Sequence, residues 1–501
     1  RILCGDVNPS GKTVDTWTRD FTKDPTFQNF SDNRHTTDTL ISNGGVSGKH
    51  NGRQAHQSAD TMLNADGTPM RSYGTLKSYT DPQNVGSSYL EDAQYKVMKG
   101  GINGVKPAAY VSYEEGVYLD YRYYETRYAD MAKSDKAAAD AWYNSDEGVV
   151  FPFGYGLSYT TFSQEIVRVK PAKNAVLDEN SDIIEVTVKV TNTGNVKGKD
   201  AIQVYWKAPY IDGGIEKADH VLCAFDKSKM LEPGESQLVH LTFHLQDVAN
   251  YDYKDANNNK HTGYELDAGD YAIMCMKNAH EAFDEVPLKV KDGGIQYTKD
   301  RFTGYTVENR FTGNGFYDSM PGEKDIEFTE MSRHDFAGTF PTAPNDTDRR
   351  VTVDSRYEEF LTTPYDLAAF EEGRNYEYTP EAAHKTAEDG ANWVQAKTAN
   401  HTIKLADLKG KDPMWDELIN EFTWSELMSY VENYKMSGPS MGSIGYNGAN
   451  EGDGPQQFSI MAWVSSPIVA ATFNPELAHE QGECIGMESQ ISGKSGWWGC
   501  A

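Results

Sequence analysis

Between residues 163 and 292 apolar and polar side chains alternate in short runs. Ile184, Val186, Val188 and Val190 interleave with Glu185, Thr187, Lys189 and Thr191, and Asn192-Thr193-Gly194-Asn195 then turns the chain. Ile202, Val204 and Trp206 form the next apolar set. Leu231-Glu232-Pro233-Gly234-Glu235 is a second turn, followed by Val239, Leu241 and Phe243, and Ala268-Gly269-Asp270 precedes Tyr271, Ile273 and Cys275. Period-2 runs separated by Gly, Pro and Asn turns predict half-buried strands of a β-sandwich. No segment of helical period interrupts them.

The flanks read differently. Asn8-Pro9-Ser10-Gly11 is a turn signal, and Thr13–Trp17 alternates like a strand. Residues 31–108 are polar and aperiodic and read as a long loop or irregular insertion. Residues 132–143, Ala-rich and without Gly or Pro, predict a helix. In Gly148–Phe162 two glycines, Gly154 and Gly156, break an aromatic run, which predicts a tightly packed corner between two folded bodies. Towards the end Trp415, Leu418, Ile419 and Phe422 fall at helical spacing, and Thr423-Trp424-Ser425-Glu426 fits a capping box for a second helix. A Gly-rich loop follows over 438–454. Ile468–Phe473 reads as a buried strand or packed segment, and Asn474-Pro475 opens another helix. Helix and strand alternating in this way predict the start of an α/β barrel.

Composition narrows the function. The 501 residues suffice for three or four domains, and a formal net charge of -28 disfavours nucleic acid and anionic lipid as partners. No apolar run is long enough to span a bilayer. Thirty Tyr and nine Trp suit sugar-stacking surfaces and β-rich packing equally. Five cysteines, Cys4, Cys223, Cys275, Cys484 and Cys500, are odd in number and far apart, and read as reduced, mostly buried thiols with neither disulfides nor a zinc site. Asp255, Asn257 and Asn259 have the spacing of calcium ligands, but Lys260 stands where the loop needs Gly and Leu266 where it needs Glu; a polar hairpin tip is expected. Glu488 breaks the phosphate-loop pattern before Gly493-Lys494-Ser495, and neither H-E-x-x-H nor G-x-S-x-G occurs. No metal and no cofactor are expected.

Several stretches resemble one family. The run P-F-G-Y-G-L-S-Y-T-T-F within 148–162 resembles the junction, in family 3 of the glycoside hydrolases, between an α/β sandwich domain and a fibronectin-type-III-like domain. I-L-C-G-D-V-N-P-S-G-K over 2–12, Y-E-E-G-V-Y-L-D-Y-R-Y-Y-E-T over 113–126 and S-R-H-D-F-A-G-T-F-P over 332–341 resemble further family segments. So do Asp453-Gly454-Pro455, the run S-S-P-I-V-A-A-T-F-N-P-E-L-A-H-E-Q-G that follows, and Gly496-Trp497-Trp498, which together resemble the opening of the family's catalytic barrel.

The resemblance implies a multidomain α/β plus all-β chain. Residues 1–158 would be the C-terminal part of the α/β sandwich, 159–292 the fibronectin-like domain, 293–410 an extended connector and 411–501 the N-terminal part of a (β/α)8-type barrel, in inverted order. Neither end reads as a natural terminus, so an internal fragment is expected. The family's members are retaining exo-acting glycosidases, which use two carboxyl groups about 5 Å apart. By alignment both lie outside this chain, so no catalytic residue is expected within it and the fragment alone should be inactive. Glu114 and Glu115, read as solvated residues on a strand face, are not promoted to fill the gap. In the family the Asp of D-G-P binds hydroxyls of the non-reducing-end sugar, which makes Asp453 the implied substrate-binding residue; a carboxylate accepts two charge-assisted bonds from vicinal hydroxyls. Gln457, where the family usually has Gly, alters that loop. The implied activity is β-glucosidase, on an oligosaccharide or β-glucoside. The alternative is a non-catalytic carbohydrate-binding or adhesive protein.

Overall fold

The computed structural model describes residues 1–29, 114–307, 329–342, 403–410, 412–422, 424–433, 437–454 and 462–499. The predicted insertion over 31–108, the cap residue Thr423, Gln457 and Cys500 lie outside them, as does most of 293–410. The chain divides into two units, Arg1–Tyr365 and Asp366–Ala501.

In the first unit β1 (Trp17–Thr18), α1 (Pro25–Asn29), α2 (Tyr121–Ser134), α3 (Lys136–Tyr143) and β2 (Val149–Phe151) precede the alternating region. That region forms β3 (Phe162–Lys170), β4 (Val176–Leu177), β5 (Ile183–Asn192), β6 (Ala201–Lys207), β7 (His220–Lys227) and β8 (Ser236–His244). It continues with β9 (Asn250–Asp252), β10 (Gly263–Leu266), β11 (Gly269–Met276), β12 (Ala282–Val290) and β13 (Ile295–Tyr297). The strands pair in the orders β3-β5-β8, β4-β12-β11-β6-β7 and β13-β10-β9. The predicted inward sets meet between the sheets: Ile184, Val186, Val188, Ile202, Val204, Trp206, Val239, Leu241, Phe243, Tyr271, Ile273 and Cys275 are buried in one core. Burying an aliphatic side chain of this size contributes about 1.5–3 kcal/mol, so this core dominates the unit's stability.

The outward face of β6 and β11 is buried as well. Tyr205, Met274 and Met276 pack with Tyr121 and Phe153 in a second cluster. The corner at 152–155 seats on this face. Gly154 has φ +79°, and a Cβ there would lie 2.1 Å from Gln203 Oε1. Gln203 donates from Nε2 to the carbonyls of Gly154 (3.0 Å) and Lys277 (3.1 Å). The Pro152–Tyr155 turn is also held by Thr13, whose N–H donates to Tyr155 O (2.7 Å), whose carbonyl accepts from Gly154 N (2.9 Å) and whose Oγ1 donates to Pro152 O (2.6 Å). These bonds use up the backbone of Thr13, and the predicted 13–17 strand shrinks to β1, paired antiparallel with β2.

Helix formation begins at Tyr121, eleven positions before the expected start, and breaks at Asp135, whose carboxylate accepts from Ala138 N (3.0 Å) as the cap of α3. Glu114 and Glu115 correct the strand reading. They lie in a turn before α2, and Glu115 is buried. The S-R-H-D-F-A-G-T-F-P segment packs on these helices. Met331 and Phe336 are buried with Tyr118, Tyr123, Tyr124, Trp142 and Tyr143. Arg333 donates from Nε and Nη2 to the two carboxylate oxygens of Asp130 (2.6 and 2.8 Å) and from Nη1 to Lys217 O (3.2 Å).

In the second unit α4 (Trp415–Asn420), α5 (Trp424–Asn433), β14 (Glu451–Asp453), α6 (Ser466–Ala470), α7 (Pro475–Ser492) and β15 (Gly496–Trp498) follow in order. Leu418, Met441 and Ile444 are buried together, with Trp415, Phe422 and Tyr446 packed against them. The Ile468–Phe473 strand expectation is corrected: Pro467 sits at the first turn of α6, only Val469 and Phe473 point inward, and Ile468 is exposed, a one-sided pattern that a helix end produces and a buried strand does not. The expected start of α7 holds, with Asn474 as its N-cap and Pro475 in its first turn. The thiols of Cys4, Cys223, Cys275 and Cys484 are free, but Cys4 is exposed and Cys223 and Cys484 are half-buried, so "mostly buried" is true of Cys275 alone among the four.

Candidate functional site

β14 and β15 run parallel, pairing Glu451 with Gly496, Gly452 with Trp497 and Asp453 with Trp498. A parallel pair needs a crossover connection, and α6 and α7 lie in the sequence between the two strands. Asp453, the predicted sugar-binding residue, thus ends its strand beside Trp498 at the end of the next. In parallel α/β folds, ligands are bound at the carboxyl ends of the strands, where loops diverge from a rigid edge.

Local sequence explains how this edge is built. Gly438 and Ala449 exchange backbone hydrogen bonds (2.9 and 3.0 Å), as do Met441 and Tyr446 (2.7 and 3.0 Å), so the Gly-rich loop leading into β14 is a ladder closed by Gly445 at φ +72°. Ser443 donates from N and Oγ to the carboxylate of Glu426 on α5 (2.9 and 2.6 Å). Asn450 N donates to Ser495 Oγ (2.7 Å), and Ser495 N returns a bond to Asn450 O (2.7 Å), which sets the register of the parallel pair. Beyond Asp453, Gly454 O accepts the indole N–H of Trp497 (2.7 Å). The indole N–H of Trp498 donates to the Glu451 carboxylate. The two tryptophans therefore tie down the chain on either side of position 453. Sequence reasoning missed Glu451. A glycine on each side of the Trp pair was the available signal, since a Cβ on Gly496 would meet Glu451 Cγ at 2.8 Å and one on Gly499 would meet the Trp497 ring at 1.9 Å.

Among the described residues, several buried acidic groups outside this edge are committed to the fold. Glu125 accepts from Tyr143 Oη (2.7 Å) and pairs with His280 Nδ1 (2.8 Å), whose ring stacks on Tyr143. Burial and the Glu125 charge push the Tyr143 phenol up. Asp219 is buried, which would raise its carboxyl, but the hydrogen bond and charge of His220, with Lys207 and Arg333 nearby, hold it at about 2. Asp267 is ion-paired with Lys217, both buried, and accepts from Asn257 Nδ2 (2.6 Å). The Asp255–Asn259 stretch is a polar hairpin tip, with Asn257 and Asn259 both donating to Glu265 (3.0 and 2.7 Å). Among the described residues no three His, Cys, Asp or Glu side chains gather as metal ligands, and no helix is long and apolar enough to cross a membrane.

Known proteins place these observations. Residues 200–279 match the fibronectin type III-like domain. The chain is 27% identical over 417 residues to β-glucosidase A of Butyrivibrio fibrisolvens, which covers 77% of this chain and 44% of that enzyme. It is 34% identical over 174 residues to a β-glucosidase of Ruminococcus albus, covering 34% of this chain and 15% of the relative. A β-glucosidase structure from Paenibacillus barengoltzii superposes over 99% of this chain and 41% of its own length, with a TM-score of 0.52 at 21% identity, which speaks for the fold. The chain spans less than half the length of these relatives. The chain is thus β-glucosidase-like in sequence, and mixed α/β in fold with a fibronectin type III-like domain.

Proposed function

We propose that the protein carrying this chain is a retaining exo-β-glycosidase, a β-glucosidase that removes terminal non-reducing sugars from β-linked oligosaccharides. The similarity to β-glucosidase A over 417 residues carries this reading. Residues 1–158 then form part of an α/β sandwich, 159–292 the fibronectin-like domain, 293–410 a connector and 411–501 the first part of a catalytic barrel. Asp453 serves as the hydroxyl-binding carboxylate of the subsite that holds the non-reducing-end sugar, at the strand edge where a barrel assembles its site. The nucleophile and the acid/base belong to the rest of the protein, and the 501 residues alone do not turn over substrate.

Hydrolysis of 4-nitrophenyl β-D-glucoside by the full-length protein, with the first-formed anomer followed by NMR, tests the reading. Release of β-glucose before mutarotation is expected. Release of α-glucose contradicts retention, and no hydrolysis of any aryl β-glycoside favours the carbohydrate-binding alternative.

A further inference from the structure

We propose that Trp498 forms an apolar wall of the sugar subsite beside Asp453, and that Glu451 is the positioning residue that holds its ring. The inference rests on the β-glycosidase reading above. A pyranose presents an apolar C–H face and a polar rim, and recognising it takes a flat apolar surface next to hydrogen-bonding groups.

The edge formed by β14 and β15 supplies that surface. Trp498 stands opposite Asp453 in the strand register, and 49% of it is exposed although its N–H already has a partner. An indole whose polar atom is satisfied offers its face at little desolvation cost. The partner is the carboxylate of Glu451, two positions before Asp453 on the same strand. Glu451 reaches the indole by crossing over Gly496, where its Cγ would stand 2.8 Å from any Cβ, so the glycine keeps that lane open. Trp497 does different work: its N–H pins Gly454 O at 2.7 Å, and its ring covers Gly499. One tryptophan thus fixes the turn after Asp453, and the other is left facing outward. A carboxylate acceptor makes the Glu451 bond charge-assisted and directional, which suits a group that must hold a ring at one angle.

The test uses the full-length enzyme and 4-nitrophenyl β-D-glucoside. Trp498→Ala and Glu451→Ala should each raise KM about fivefold, the loss falling on KM more than on kcat, because stacking acts on bound sugar before and during reaction. Glu451→Gln should restore most of the affinity, since its amide oxygen accepts the same N–H. Combining Glu451→Ala with Trp498→Phe should cost no more than Trp498→Phe alone, because a phenyl ring has no N–H to hold; this cycle also decides the matter if Trp498→Ala misfolds. Unchanged KM in Trp498→Ala, or equal losses from Glu451→Ala in the Trp and Phe backgrounds, overturns the inference and leaves the glycosidase reading standing. Absence of hydrolysis by the unmutated enzyme overturns both.

Discussion

Single residues decide how the pieces of this chain meet, and Gly154 shows it best. Its positive φ and the closeness of Gln203 leave no room for a side chain, so Gly154→Ala should destabilise the first unit by about 2–4 kcal/mol in urea titrations. An unchanged midpoint would mean that the corner does not seat on the sheet as described. Gly154 was legible in the sequence as a break in an aromatic run. Gln203 was not. Between Ile202 and Val204 it takes the place of a solvent-facing residue, yet it is fully buried because its amide serves two main-chain carbonyls. Period-2 reasoning finds one buried face and has no means of seeing that a second body covers the other. Glu451 escaped for a related reason: its partner is 47 positions away, and only the strand register brings them together.

Among elements, the 331–340 segment is the clearest case of structure imposed from outside. Nothing in its own sequence has a period, but Arg333 is nearly fully buried and fastens α2 to the chain before β7 through Asp130 and Lys217 O. Arg333→Ala should cost about 2–4 kcal/mol by leaving carboxylates without their cation, and Arg333→Lys should recover only part, because an ammonium cannot make the paired bonds of a guanidinium. Equal stability of the two variants in thermal denaturation would contradict this. Asp219, in the same cluster, gives a pH signature. Its carboxyl ionises near 2 in the folded chain and near 4 when unfolded, so it contributes fully above about pH 4 and loses that contribution as pH falls to about 2. Asp219→Asn should remove about 2–3 kcal/mol at neutral pH and flatten the stability profile across that window; a parallel profile would show that other carboxylates set it. Helix α2 illustrates the limit of pattern reading: its run of tyrosines has no helical stripe, because the aromatic side chains face α3, the sandwich and the 331–340 segment at once.

At the scale of the whole molecule, two kinds of evidence combine. The alternating core of the sandwich follows from elementary burial and could be read residue by residue. The proposed glycosidase activity could not; it rests on motif resemblance and on similarity to β-glucosidase A, of which this chain covers 44%. The physical content of the proposal is that Asp453, at the end of a short parallel strand pair, binds a sugar. The most direct measurement is kcat/KM for 4-nitrophenyl β-D-glucoside in full-length Asp453→Ala and Asp453→Asn, with circular dichroism to confirm folding. Loss of paired charge-assisted bonds to two hydroxyls should lower kcat/KM about a hundredfold or more in Asp453→Ala, with Asp453→Asn between it and the unmutated enzyme. A folded Asp453→Ala enzyme with unchanged kcat/KM would contradict the account.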